Sequence, residues 1–235
     1  MALPIVNESS WYNLEVPSTK QEITYRPFLV KEQKVLLIAS ESQDKKQVMD
    51  AIVNTIGACV KEEIDFRRLP TFDIDYIFTQ IRGKSVGEST EIIIKCDKCE
   101  TPNDVSINIT EAKIKGEMRE KVVKLNDQIS VEMTYPSYHT MASKLDSLES
   151  ANSAAVFDML TACIEYVMTE EEKIALRDES KEEVDKFIES LSTAQFEKIS
   201  EFIREFPKLS LEANFKCKKC EHENNVVLEG LDDFF

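Results

Sequence analysis

The chain has 235 residues, with 29 lysines and arginines against 44 aspartates and glutamates, and its formal net charge is −15. This length is enough for one elaborated domain or two small domains with an apolar core. The negative charge makes nucleic acid an unfavourable general partner, because phosphate groups attract cations. No run approaches the roughly 20 apolar residues that a membrane-spanning helix needs, so we expect no membrane span.

Residues 1–88 predict an extended segment followed by helices. Residues 11–16 and 22–25 are strand-like and precede a break at Pro27. Apolar side chains at helical spacing then predict helices over 30–40 and 44–60. A third helix is expected to begin near Thr71, after Pro70, and to stop at Gly83.

Two CxxC pairs are the most informative feature of the chain. The pair Cys96 and Cys99 forms the first knuckle, residues 96–99, and the pair Cys217 and Cys220 forms the second, residues 217–220. Four thiolates offered as two pairs are what a structural, tetrahedral Zn²⁺ requires, with no position left open for catalysis. Strand-like runs flank both knuckles, at residues 91–95, 105–109, 209–216 and 226–228.

The two knuckles lie more than a hundred residues apart, far beyond the roughly 12 to 20 residues that separate ligand pairs in common zinc modules. We therefore predict a split zinc ribbon, built from residues 89–110 and 208–229, with a domain inserted between its halves. Iron or disulfides are alternatives for the four sulfurs, and His222 is a candidate substitute ligand. A redox dithiol is a further alternative, but it normally begins a helix after a strand, and neither knuckle does so.

Residues 111–207 form the predicted insert. A hairpin is expected over residues 122–133, and the remainder is expected to be helical. Residues 154–168 are apolar nearly all round and predict a buried helix. Ser180 with Glu183, and Ser192 with Gln195, have the spacing of capping boxes that begin two amphipathic helices. The whole chain is therefore predicted to be α+β and mostly helical, with the split ribbon and one small hairpin.

The sequence offers no recognisable active site. It contains no phosphate-binding glycine loop, nucleophile elbow or HExxH motif, and its five glycines do not cluster. His139 stands alone and is expected at a surface or helix start, because a general base needs a nucleophile and an orienting group nearby. We predict no catalytic residue, no cofactor-binding residue and no small-molecule substrate.

The remaining cysteines and the two termini bear on location. Cys59 and Cys163 fall on apolar helical faces, where a free cysteine acts as a small hydrophobic residue. The first residues lack the basic and apolar regions of a signal peptide, so a reducing cytosol is expected. The C-terminal Phe234 and Phe235 either pack back on the ribbon or dock into a partner.

Two segments of the N-terminal half carry a family resemblance. The first is PSTKQEITYRPFLVKEQKVLLIA, residues 17–39, and the second is LPTFDIDYIFTQIRGKSVGE, residues 69–88, which leads into the first knuckle. Together they resemble the baseplate hub protein family of T-even-type contractile-tailed bacteriophages. The resemblance covers residues 14–100 closely, the second knuckle by position and the insert loosely.

The resemblance implies a late viral protein that helps to build the central hub of the tail baseplate. Such a protein is either a hub subunit kept in the virion or an assembly chaperone that leaves the finished hub. Its partners would be other hub proteins, and its location the host cytoplasm during assembly and, if it is retained, the tail baseplate. The resemblance brings no catalytic residues.

The sequence therefore predicts a non-enzymatic assembly protein with one structural zinc. The alternative is a zinc-ribbon accessory factor that binds nucleic acid through the knuckle lysines, and a thiol oxidoreductase is a third hypothesis. Five lysines would supply the nucleic-acid contacts, namely Lys95, Lys98, Lys216, Lys218 and Lys219.

Overall fold

The computed structural model describes residues 10–116, 122–141, 153–204 and 206–234. The chain divides into two compact units. The first contains Met1–Lys115 and Lys208–Phe235, and the second contains Gly116–Pro207. The finer division of the first unit, into residues 1–88 and a separate ribbon, stays a prediction.

Both units contain helices and strands. The helices are α1 (Val30–Glu41), α2 (Lys45–Cys59), α3 (Thr71–Ser85), α4 (Ser153–Ala162), α5 (Lys181–Glu189) and α6 (Thr193–Arg204). The strands are β1 (Tyr12–Glu15), β2 (Glu22–Tyr25), β3 (Ser89–Lys95), β4 (Pro102–Asn108), β5 (Lys113–Lys115), β6 (Val122–Lys124), β7 (Ser130–Met133), β8 (Ile164–Met168), β9 (Lys173–Ala175), β10 (Lys208–Lys216) and β11 (Glu223–Glu229). Among the described residues, no helix is both long enough and apolar enough to cross a membrane.

The expectation of a mostly helical chain is wrong. The described residues form four antiparallel sheets, with strand orders β1-β2, β3-β4, β11-β10-β5 and β6-β7-β8-β9. The largest error falls in residues 154–168, because α4 ends at Ala162 and the chain continues as β8. A continuous apolar run does not distinguish a buried helix from a buried strand, and pairing of β8 with β7 and β9 decides the outcome.

The first unit begins with the two-strand ladder of β1 and β2, which leads into α1 through Arg26. The Arg26 guanidinium donates hydrogen bonds to the carbonyl oxygens of Pro27, at 2.9 Å, and Ala58, at 2.8 Å. It also pairs with the buried carboxylate of Glu32 at 3.0 Å. Arg26 therefore joins the strand segment, the start of α1 and the end of α2.

Helix α3 packs between the N-terminal segment and the ribbon. The Ser18 backbone N–H and hydroxyl both donate to the buried Asp73 carboxyl in its first turn. Burial raises the pKa of Asp73 to about 6, against the opposing effect of the two Ser18 hydrogen bonds. Gly83 does not end the helix, which continues to Ser85; instead, a β-carbon at Gly83 would collide with the side chain of Thr110. Gly83 thus allows α3 to approach the ribbon closely.

The ribbon is built from two hairpins and the short strand β5. Strands β3 and β4 pair over seven residues each, and β10 pairs with β11 on one side and β5 on the other. Their inward side chains form one apolar cluster, closed by the fully buried Phe234. The buried members are Val105, Ile107, Ile109, Ala112, Leu209, Leu211, Ala213, Leu228 and Phe234.

The second unit combines the four-stranded sheet with α4, α5 and α6. Val131 of β7 pairs with Val167 of β8 at the centre of the sheet. The capping box at Ser192 is confirmed, because the Ser192 hydroxyl accepts the Gln195 N–H at 3.3 Å and the Gln195 side-chain oxygen accepts the Ser192 N–H at 2.9 Å. Ser180 caps α5 by accepting the Glu183 N–H at 3.3 Å, and the Glu183 carboxylate accepts the Ser180 hydroxyl rather than its N–H. A cluster of Tyr135, Phe202 and Phe206, with ring centroids 5.4–5.6 Å apart, packs beside α6.

Candidate metal centre

The two knuckles occupy equivalent positions at the tips of two β-hairpins. The β3–β4 ladder closes at Lys95 and Pro102, and the β10–β11 ladder closes at Lys216 and Glu223. Each connection therefore contains six residues, of which the first and fourth are cysteines. Neither knuckle begins a helix, so neither has the setting of a thioredoxin-like dithiol.

Both connections are folded by the same backbone hydrogen bonds. In the first, the Glu100 N–H donates to the Cys96 carbonyl at 2.8 Å, and in the second, the Glu221 N–H donates to the Cys217 carbonyl at 3.0 Å. Glu100 and Glu221 both adopt left-handed backbone, with φ of 55° and 56°. Few residues other than glycine, asparagine and aspartate adopt this backbone conformation readily. The two knuckles therefore share one turn conformation.

The four cysteine sulfurs meet in one cluster. All four Sγ atoms lie within 4.8 Å of one another, and Cys96 and Cys217 are buried. Across the knuckles, the Sγ atoms of Cys96 and Cys220 are 3.7 Å apart, and those of Cys99 and Cys217 are 3.6 Å apart. These distances are too long for a disulfide, whose sulfurs lie about 2.05 Å apart.

The sulfur spacing fits a tetrahedral metal ion. A zinc ion with zinc–sulfur distances of about 2.3 Å separates its four sulfurs by about 3.8 Å. The two closest cross-knuckle distances approach this value. His222 is exposed and lies outside the cluster, and its carbonyl oxygen accepts the Cys217 N–H at 2.9 Å. The residues present therefore offer four thiolates and form a closed ligand set.

Two buried asparagines, which the sequence reasoning missed, tie the knuckles together. The Asn103 side-chain oxygen, on the first hairpin, accepts the Lys218 N–H of the second knuckle at 2.8 Å. Reciprocally, the Asn224 side-chain oxygen, on the second hairpin, accepts the Asp97 N–H of the first knuckle at 3.0 Å. Each asparagine stands seven residues after the first cysteine of its own hairpin, in a shared pattern CxKCExxN. That repeated offset is the signal that would have identified them.

Each asparagine also fixes the turn of its own hairpin. The Asn103 amide donates to the Thr101 carbonyl at 2.7 Å, and the Asn224 amide donates to the His222 carbonyl at 3.0 Å. The Asn103 amide nitrogen lies 3.8 Å from the Cys217 sulfur as well. The asparagines thus link the backbone turn, the opposite knuckle and, at one position, a ligand sulfur.

The electrostatic surroundings of the sulfurs are unequal. Hydrogen bonds from the backbone N–H groups of Cys220 and Lys219 lower the pKa of Cys217 to about 6. The His222 backbone favours the thiolate of Cys220, but burial and the neighbouring sulfurs outweigh it and raise the pKa of Cys220 to about 12. Four neighbouring thiolates repel one another, and a divalent cation bound among them would offset that repulsion.

Carboxylates offset the charge of the knuckle lysines. Lys216 pairs with Glu221 at 3.3 Å, and Lys218 pairs with Asp104 at 3.4 Å. Five carboxylates lie in the same segments as the five lysines, namely Asp97, Glu100, Asp104, Glu221 and Glu223. The positive field that nucleic-acid binding needs is therefore cancelled locally.

Replacing either buried asparagine by alanine is expected to weaken zinc affinity about 10- to 100-fold, because groups that orient metal ligands contribute on this scale. Competition with a chromophoric chelator would measure the affinity of the Asn103→Ala and Asn224→Ala variants. Asn225→Ala is the matched control, since Asn225 is exposed on the same strand as Asn224. An equal loss in the control, or no loss at either buried position, would contradict the role assigned to the asparagines.

Comparison with known proteins supplies the family. The family model for the T4 bacteriophage base plate protein matches residues 10–235 of the chain. No curated protein and no solved structure matches it. The match includes both knuckles and the segment between them, in addition to the N-terminal segments that carry the resemblance. The chain therefore belongs to the T4 bacteriophage base plate protein family.

Proposed function

We propose that the chain is a non-enzymatic component or assembly chaperone of the baseplate hub, and that one structural zinc ion bound by Cys96, Cys99, Cys217 and Cys220 holds its ribbon together. Membership in a baseplate family implies interaction with other baseplate proteins and suggests a place in the virion tail. The finer assignment is to the hub, with synthesis and assembly in the host cytoplasm.

The four-cysteine cluster is the observation that supports this function most directly. It joins hairpins from distant parts of the chain in a closed ligand set that leaves no position for a substrate or water. Such a centre stabilises a shape, and a shape that presents surfaces to other proteins is what an assembly component needs. The paired knuckle lysines give no support to nucleic-acid binding.

A virus whose only copy of this protein carries Cys96→Ser and Cys217→Ser is expected to assemble no complete baseplates. Electron microscopy of lysates would count baseplates, and mass spectrometry of purified wild-type particles would decide between a retained subunit and a released chaperone. The Ile93→Ser virus is the control, because Ile93 lies exposed on the first hairpin and belongs to neither the apolar cluster nor the sulfur cluster. Normal baseplates in the double-cysteine variant would contradict the proposal.

A further inference from the structure

Helix α1 exposes most of its large apolar side chains. Among the described residues, ten large hydrophobic side chains are exposed, and four of them lie in this one helix of 12 residues. Their exposed fractions are 79% for Val30, 49% for Val35, 57% for Leu37 and 56% for Ile38. Single exposed apolar residues are ordinary, whereas a group on one element marks an interaction surface.

The inward face of α1 is held by a charged residue. Glu32 is buried against Arg26, and Ala39 is the other buried residue of the helix. Burial acts to raise the pKa of Glu32, but hydrogen bonds from Arg26 and the Leu29 N–H outweigh it and lower that pKa. The ionised pair therefore fixes which side of α1 faces the unit, so the apolar residues stay outside.

The exposed residues form a stripe with a lysine in its centre. Val30, Lys34, Leu37 and Ile38 have the spacing i, i+4, i+7 and i+8, which places them on one face of the helix. Lys34 makes no hydrogen bond or ion pair to any described residue, and Glu41 lies only at the end of the same face. In a chain with net charge −15, an unpaired cation inside an apolar stripe favours a partner that brings its own carboxylate.

We propose that this outer face of α1 (Val30, Lys34, Leu37 and Ile38) docks an amphipathic helix of another baseplate protein, with acidic residues beside its apolar stripe. The proposal rests on the proposed function and names the surface and the partner chemistry. The stripe runs from Val30 to Ile38 and is about 13 Å long, which suits two to three turns of a docked helix. A second copy of the chain fits less well, because its own stripe offers Lys34 and no central carboxylate.

The experiment titrates the fluorescently labelled full chain with each purified baseplate protein of the same virus. We expect at least one to bind, and the double variant Leu37→Ser, Ile38→Ser to weaken that binding at least about 30-fold, as loss of central apolar contacts does. Lys34→Glu is expected to weaken it about 10-fold at low salt, with a smaller effect at high salt. Ile93→Ser, at an exposed apolar position on β3, should leave binding unchanged.

Each contrary result has a separate meaning. Binding that survives the double variant overturns the docking face and leaves the proposed function standing. Absence of binding to any baseplate protein overturns both. Equal binding by wild type and Lys34→Glu overturns the acidic chemistry of the partner. Sedimentation of the chain alone covers the remaining case, since a dimer abolished by Leu37→Ser, Ile38→Ser would make the occupant a second copy and overturn the proposal.

Discussion

Stripping the metal from the purified protein with a chelator is expected to lower its melting temperature by about 10 °C or more. Structural zinc contributes about 10–16 kcal/mol of apparent binding free energy in zinc-finger peptides. Loss of even 5 kcal/mol shifts a domain of this size by about 10–20 °C. We expect the ribbon to depend on the proposed ion because its apolar cluster runs up to Ile94 and Phe215, each one residue from the strand end at a knuckle. Without the ion, no bond between the sulfurs would hold the two knuckles together at that end of the apolar cluster.

The measurement pairs metal content with thermal unfolding. Elemental analysis of the purified chain should give one zinc per molecule, and Cys217→Ser should bind none while melting at the temperature of the stripped protein. Cobalt substitution should produce the visible absorption of a tetrahedral thiolate complex. Cys59→Ala is the matched control, because Cys59 is buried outside the cluster and its variant should keep its zinc. A stripped protein that melts at the original temperature would rule out a structural ion.

The sequence predicted the sulfur cluster because the information lies in local spacing. Two cysteines three positions apart, with strand-like residues on both sides, indicate a hairpin tip, and two such pairs offer the four thiolates that a tetrahedral ion binds. Asn103 and Asn224 escaped this reasoning because their hydrogen bonds cross from one hairpin to the other. A single asparagine in a sequence does not indicate a role at a metal site. The shared offset becomes visible only when the sequences of the two knuckles are aligned with each other.

Tertiary context explains where the sequence failed. Residues 164–168 carry the apolar content of a helix, yet they pair with β9 and with β7, and β7 lies more than 30 residues earlier in the sequence. Gly83 was interpreted as a helix stop, whereas its lack of a side chain serves the contact with Thr110. In both cases the deciding partner is remote in sequence, and no local pattern specifies it.

The C-terminal aromatic residue Phe234 packs at the end of the ribbon opposite the sulfur cluster. The Gly230 N–H donates to the Leu209 carbonyl at 2.8 Å, so the tail turns back at the start of β10, while Cys217 follows the end of that strand. Phe234 is completely buried in the ribbon cluster. The prediction that the C-terminal aromatic residues pack back on the ribbon is therefore confirmed for Phe234. Phe235 lies outside the described residues.

Phe234→Ala is expected to lower the free energy of unfolding by about 3–5 kcal/mol, because truncation of a buried phenylalanine removes apolar contacts and leaves a cavity. Urea unfolding of the metal-loaded protein would measure it. Ile93→Ala, at 72% exposure on the same ribbon, should cost less than about 0.5 kcal/mol. Zinc content should stay at one per chain in both variants, since Phe234 is remote from the sulfurs along β10. A loss below about 1 kcal/mol for Phe234→Ala would mean that packing of Phe234 contributes little to the stability of the ribbon.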